Sequence, residues 1–544
     1  MLRMGSFALM SLFALSSFAQ NAHSVAPSLM QRADAAYKSK HYSESTALYT
    51  RALPLVPDTE RGDVEYSLAV SQALAGDRTA AFATLDHAVE DGYINRKNTE
   101  ADPDLISLHA DPQWQPLLQR MDKLTAEQDA RWGDAALATP YAPNLSDADK
   151  IAGLSELWAQ AKYGFANFWY VPQLNWDQTY HDFIPKVLAT HSTDEYYRVL
   201  EIFYALLQDG HTGVYPPEQL NISPTPLTTR LVDGHLLILG TSRSGFNLQG
   251  LHPGDEIPTI NGQPAIIWAQ KNVQPYVFAS TPQDRENRTF GRDLFMAREG
   301  TSFSLTTSTP SGALGSYTFT VPPWVSGDVS SRFEFRILPG EIAYVALNEF
   351  GDDTDAKEWD KAWPEISKAR SLILDLRENG GGNNAVGFHI LGTIIDHPTP
   401  GSRQQSTRWI ATYRAWGNAE TPLHFPIDAL EPDPVRHFSG PVVMLTSPRT
   451  FSAAEDMAVA FTQSHRGKII GEPTGGSTGE ALGFKLPGGG FARVCTKHDS
   501  FADGREFVGV GVQPDIPVHP TRADIIAGRD SVLETALHTL QGKP

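Results

Sequence analysis

The sequence predicts a multidomain α/β protein in which helical segments come first, a β-rich module lies in the middle and an alternating strand–helix core follows. Three observations predict it. The 544 residues are too many for one hydrophobic core and correspond to roughly three or four units on domain-size statistics. With 41% apolar and 20% charged residues the composition is that of a globular chain. The hydrophobic pattern is helical before about residue 220, turns to short β-like runs, and from 330 onward alternates strand and helix.

Residues 1–22 read as a secretory signal peptide, with one positive charge at Arg3, an apolar stretch from Phe7 to Phe18 and small residues around Ser17-Phe18-Ala19. Export to the periplasm or beyond the cell is the expectation. The apolar run is too short for an ordinary transmembrane helix, and no later segment approaches the ~20 residues that a bilayer span requires. Cys495 is the lone cysteine, which rules out an internal disulfide. The formal charge of −19 argues against nucleic acid or an anionic membrane as the main partner, since both attract a basic surface.

Residues 25–130 are helical and repetitive. Ser45, Tyr49 and Ala52 recur 36 residues later as Ala81, Leu85 and Ala88, a small/aromatic spacing that resembles a tetratricopeptide helix pair with a two-residue insertion. Fewer than three such units cannot bury a solenoid core, so both a protein partner and plain packing fit this segment. Residues 140–220 form a second helical region, containing the aromatic-rich run Phe165 to Tyr170 and ending at Asp209-Gly210-His211-Thr212-Gly213. Flanking glycines put His211 in a tight loop instead of on a helix face. In 221–325 the Pro253-Gly254 and Asn261-Gly262 pairs mark turns between short strands, and the segment resembles a PDZ domain, a module that accepts an extended peptide as an added strand.

The α/β core of 330–530 carries the remaining chemistry. Asp375 to Asn383 places Gly380-Gly381-Gly382 directly after a buried strand and before a helix. Such a run turns sharply and points N–H groups outward as an anion nest. The Lys-Ser/Thr of a P-loop is absent and the Rossmann spacing fails, which leaves an oxyanion site or a structural turn. Ser452 stands where the apolar run Val442 to Leu445 gives way to a helix-like stretch from Ala453, a junction suited to displaying a nucleophile. Ser452-x-x-Glu455 is equally a capping box.

Taken in order, Asp209-Gly210-His211-Thr212, Asp375 to Gly382, Thr450 to Glu455, Gly471-Glu472-Pro473-Thr474 and Gly509 to Asp515 make the chain resemble the C-terminal-processing and tricorn-type, or tail-specific, serine peptidases over about 150–520. The resemblance implies a ClpP/crotonase-like catalytic core with a helical cap and a PDZ-like domain. It implies Ser452 as nucleophile, with oxyanion donors from the Ala453 N–H and from Gly380 or Gly381. The family's lysine-type branch carries its base where this chain has Ser477, and Lys468 and Lys485 fall at neither matching position. His211 matches the base of the tricorn-like branch. That branch has a serine where this chain has Gly210, and its acidic residue falls on Val508. Glu506, two residues earlier and so on the same strand face, is the expected partner of His211. No metal and no cofactor are implied: there is no His-Glu-x-x-His motif and a lone cysteine cannot form a thiolate cluster. An exported endopeptidase acting on peptides or proteins is the leading expectation. A catalytically weak or inactive peptide-binding scaffold and a hydrolase of non-peptide esters or amides are the alternatives.

Overall fold

The computed structural model describes residue 26 and residues 28–133, 136–223, 227–241, 250–323, 332–419 and 421–542. The signal-peptide expectation for 1–22 lies outside the described residues. The chain forms two compact units, one up to Gly133 and one from Asp134 onward.

The first unit is built from helices, among them Tyr42–Ala52, Arg61–Leu74, Arg78–Glu90 and Trp114–Trp132. Every residue of the 36-residue recurrence is buried, Ser45, Tyr49 and Ala52 on one helix and Ala81, Leu85 and Ala88 on another. Small residues at these sites let helices approach closely, which is why the spacing is visible in the sequence. Asp77 caps the third of these helices by accepting the Ala80 N–H at 3.0 Å. No helix among the described residues is long and apolar enough to cross a membrane.

The second unit holds a six-stranded sheet in the order Phe333–Leu338, Ile342–Leu347, Ser371–Asp375, Val442–Thr446, Gly467–Gly471 and Ile516–Pro517. The first pair is antiparallel and every later pair parallel. Three inner strands are buried along their whole length, as a parallel sheet covered on both faces requires. Helices Asn384–Gly392 and Ala453–Ser464 supply one cover, with Trp359 and Met457 in the same apolar cluster. Val532 and Ala536 of helix Ser531–Leu540 cover the other face.

The glycine cluster, the serine turn and the Gly471 to Ser477 segment all leave the carboxyl ends of adjacent strands. Topology therefore gathers at one edge what the sequence spreads over about a hundred residues, the usual location for a site in such sheets.

Helices Asp147–Gly164, Trp176–Leu188 and Thr193–Ala205 share a core with Phe484, Leu486, Ala492 and Val494. That core is tied down by a three-stranded sheet in which Gly213–Tyr215 pairs with Gly490–Cys495, Gly213 opposite Arg493. The loop carrying His211 is thereby fixed to the strand Gly490–Cys495. A separate antiparallel sheet, with Leu227–Val232 at its edge, packs on helix Ala265–Asn272. Asn261 and Gly262, both at positive φ, form its two-residue hairpin turn.

Candidate active site

Ser452 follows the buried strand Val442–Thr446 through a turn held at several points. Thr450 Oγ1 donates to the Leu376 carbonyl at 2.8 Å, and Phe451 N–H donates to the Asn379 carbonyl at 3.0 Å. The serine itself is held at φ +56° and ψ −126°, a backbone conformation that costs a non-glycine residue on the order of 1–3 kcal/mol. Its neighbours impose that conformation: the Ser452 N–H faces the Ser477 carbonyl at 3.1 Å and Glu455 Oε2 at 3.2 Å. The turn keeps the capping-box arrangement that the sequence offered, with Glu455 Oε2 facing the Ser452 N–H, while the Glu455 N–H goes to the Ser452 carbonyl at 2.7 Å.

Oγ of Ser452 instead lies 2.9 Å from Nε2 of His211. The other ring nitrogen, Nδ1, lies 3.0 Å from Oγ of Ser477, a residue only 1% exposed. Phe451 stacks on the imidazole with ring centroids 5.0 Å apart and planes 8° from parallel. Arg288, paired with Asp284, covers the same phenyl ring at 5.2 Å. Burial pushes the His211 imidazole down to about 3, with the charges of Arg493, Arg288 and Lys497 adding to the effect. The ring is neutral at pH 7. A neutral ring that accepts from Ser452 Oγ–H at Nε2 carries its proton on Nδ1 and donates it to Ser477.

Glu455 ties these parts together. Its carboxylate, fully buried, accepts from the Gly476 N–H at 2.7 Å, the Ser477 N–H at 2.9 Å, the Ser452 N–H and the Thr474 hydroxyl. Burial pushes its carboxyl up to about 7, and those donors pull against the shift. One side chain thus holds both the serine turn and the segment that carries Ser477.

The glycine nest divides between packing and open donors. Gly381, at φ +93°, donates its N–H to Asn379 Oδ1 at 2.8 Å and accepts from Phe350 N–H at 2.9 Å. A Cβ there would stand 2.5 Å from Ser452 Cβ, so only glycine fits. Its N–H is already spent, which removes it from the expected oxyanion donors. Among the described residues the N–H groups of Gly380 and Ala453 carry no hydrogen bond, and the space beside Gly380 is open.

Glu506 does not reach His211. Its Oε2 pairs with Nε2 of His498 at 2.8 Å. The two-residue shift on one strand face fails because the segment after Ser500 bends into turns instead of continuing as a strand. Val508 is buried in the apolar core. Ser477 occupies the place beside His211 Nδ1, and its only trace in the sequence was a serine where a lysine would stand. Residue 210 is glycine. A Cβ on Gly210 would meet the Phe451 ring at 2.8 Å and Ser477 Oγ at 3.0 Å, so the hydroxyl comes from position 477 across the site.

A cleft of about 930 Å³ runs between the edge strand Leu227–Val232, the segment from Pro282 to Arg292 and the carboxyl edge of the core sheet. Arg230 of that strand and Glu472 of the core form an ion pair across it at 2.5 Å.

Residues 341–518, which contain the glycine nest, Ser452 and Ser477, match the model of peptidase family S41. The chain is 23% identical to a carboxyl-terminal-processing protease of Picosynechococcus sp. over 68% of its length and 81% of that protein. It is 29% identical to a chloroplastic C-terminal processing peptidase of Tetradesmus obliquus over 33% of its length, a match spanning 36% of that relative. The solved structure of mature CPAF complexed with lactacystin shares the fold, at a TM-score of 0.58 and 15% identity over 73% of this chain and 99% of that one. The family match over residues 341–518 and the curated relatives together indicate a serine-type peptidase, a hydrolase.

Proposed function

We propose that the protein is an exported serine endopeptidase that hydrolyses peptide bonds through an acyl-enzyme. The observation that carries this reading is the array Ser477 Oγ, His211 Nδ1, His211 Nε2, Ser452 Oγ, with contacts of 3.0 and 2.9 Å. Ser452 attacks the scissile carbonyl carbon while Nε2 takes its proton. The N–H groups of Gly380 and Ala453 receive the developing oxyanion, a type of contact worth ~10²–10³ in rate per donor. His211 then returns the proton to the leaving amine, and a water activated at the same nitrogen releases the acyl group. Ser477 accepts the Nδ1 proton throughout and keeps the ring in the required tautomer. Glu455 positions both serines.

The β-rich module of 221–325, read as PDZ-like, lays its edge strand Leu227–Val232 along the cleft, which supports binding of an extended peptide by strand addition. The names of the curated relatives support a substrate cut near its carboxyl terminus. The tetratricopeptide-like segment of 25–130 is a candidate surface for a protein partner.

The test is labelling with a fluorophosphonate probe. Wild type takes the label, and Ser452→Ala and His211→Ala do not. Turnover of an unfolded protein falls by on the order of 10⁶ in the serine variant. A wild-type protein that neither labels nor cleaves sinks the reading.

A further inference from the structure

The aromatic-rich run Phe165 to Tyr170 carries Asn167 into the interior behind the histidine loop. Asn167 is fully buried, and the adjacent Ala166 N–H donates to the Cys495 carbonyl at 3.0 Å, pinning the run to the strand Gly490–Cys495. The Asn167 amide nitrogen lies 3.1 Å from Asp209 Oδ2, and its oxygen lies 2.9 Å from His498 Nδ1. Asp209, 2% exposed, uses its other oxygen to accept the backbone N–H of His211 at 2.9 Å. His498 continues the series from its second nitrogen, 2.8 Å from Glu506 Oε2, and Trp169 packs edge-on against its ring at 5.1 Å. Glu506, with its side chain 43% exposed, is the outer end.

Donors and acceptors alternate along this series without conflict. Ionised carboxylates only accept, and an amide has one donating and one accepting end. Asn167 turns its nitrogen to Asp209 and its oxygen to His498, whose second ring nitrogen faces Glu506. The His211 ring has no carboxylate at Nδ1, only a hydroxyl, so its placement depends on stacking and on where the backbone of the loop is held. Asp209 holds that backbone at His211 itself, next to Ser280, whose hydroxyl accepts the Gly210 N–H at 3.0 Å.

We propose that Asn167 and His498 are positioning residues for the base, linking Glu506 to Asp209 and through it to the His211 backbone. The proposal rests on His211 being the base. It assigns Glu506 an indirect part in place of a direct contact.

Steady-state kinetics and melting temperatures of Asn167→Ala, His498→Ala, their double variant and Glu506→Gln test it. The buried variants are expected to lose kcat by roughly tenfold to a hundredfold with KM unchanged, since displacement of a catalytic group by about 1 Å has that effect. The double variant loses no more than the worse single one, because one break already opens the series. Glu506→Gln shows a smaller loss of kcat, again at constant KM, with the melting temperature of wild type. Wild-type kcat in Glu506→Gln together with losses elsewhere that follow melting temperature overturns the proposal. Ser452→Ala and His211→Ala run alongside separate the two levels. If they abolish turnover while Asn167→Ala and His498→Ala keep wild-type kcat, the positioning series alone fails; if they retain turnover, the base assignment fails and the series with it.

Discussion

At the scale of single residues the chemistry turns on His211, the proposed base, set among the Phe451 ring and the guanidinium groups of Arg288 and Arg493. Burial and the cations Arg493, Arg288 and Lys497 favour the neutral ring, which is the form that takes a proton from Ser452. The acid limb of kcat/KM governed by His211 is therefore expected well below the ordinary value of 6.5, with activity persisting as pH falls from 8 toward 5. Stability moves the other way. The unfolded chain takes up a proton near pH 6.5 that the folded ring refuses until about 3, so this group's contribution is lost as pH falls through that window. Glu455 has the opposite sign: its folded carboxyl is pushed up to about 7, so the folded state holds the proton longer and this contribution declines as pH rises from about 4.5 to 7. A pH–rate profile decides, and a limb at 6.5 that survives in Glu455→Gln would contradict the buried neutral base. Ser452 and His211 stood out in the sequence because each sits at a conformational boundary, one between strand and helix and one between glycines, and their roles followed from the family resemblance. Ser477 was legible only as the lack of a lysine, since a serine among Gly475, Gly476 and Thr478 has no local pattern that sets it apart.

Among the elements, the glycine nest behaves as two parts with separate duties. Gly381 is a packing glycine whose missing Cβ makes room for Ser452, while Gly380 keeps an unengaged N–H. Gly381→Ala is expected to lower the rate of fluorophosphonate labelling by about a hundredfold or more, because the new methyl displaces the nucleophile. The far-ultraviolet circular dichroism should be that of wild type, which distinguishes a local push from unfolding; labelling at the wild-type rate would refute the packing argument. Strand and helix positions around the nest were readable from alternation, as with Ile342–Leu347 and Val442–Thr446, where buried β-branched and aliphatic runs have one natural conformation. What the triple glycine did not disclose was which N–H points outward. That depends on Asn379, whose side chain takes one of them and whose own amide is anchored to the Leu347 carbonyl at 2.9 Å on the neighbouring strand.

At the scale of the molecule, every residue assigned to the site belongs to the compact unit that begins at Asp134, from the histidine loop to Glu506. A chain starting at residue 136 is accordingly expected to fold and to take the fluorophosphonate label at Ser452, because its apolar clusters are closed without the first unit. Labelling intensity against the full chain measures this, and a soluble but unlabelled fragment would show that the first unit completes the site. The sequence by itself determined the alternating core and the order of the motifs, because these follow from periodicity, turn chemistry and residue type, all of which are local, and the resemblance carried by those motifs singled out the two residues that meet at 2.9 Å. Only the tertiary structure decided the partners: Ser477 at Nδ1 of His211, Glu455 beneath both serines, Glu506 on His498 and not on the base. The physical reason is that a hydrogen bond within about 3 Å joins groups hundreds of residues apart, 331 for Asn167 and His498, once parallel strands and the Gly213–Tyr215 pairing have brought their ends together. Spacing along a chain carries no record of that approach.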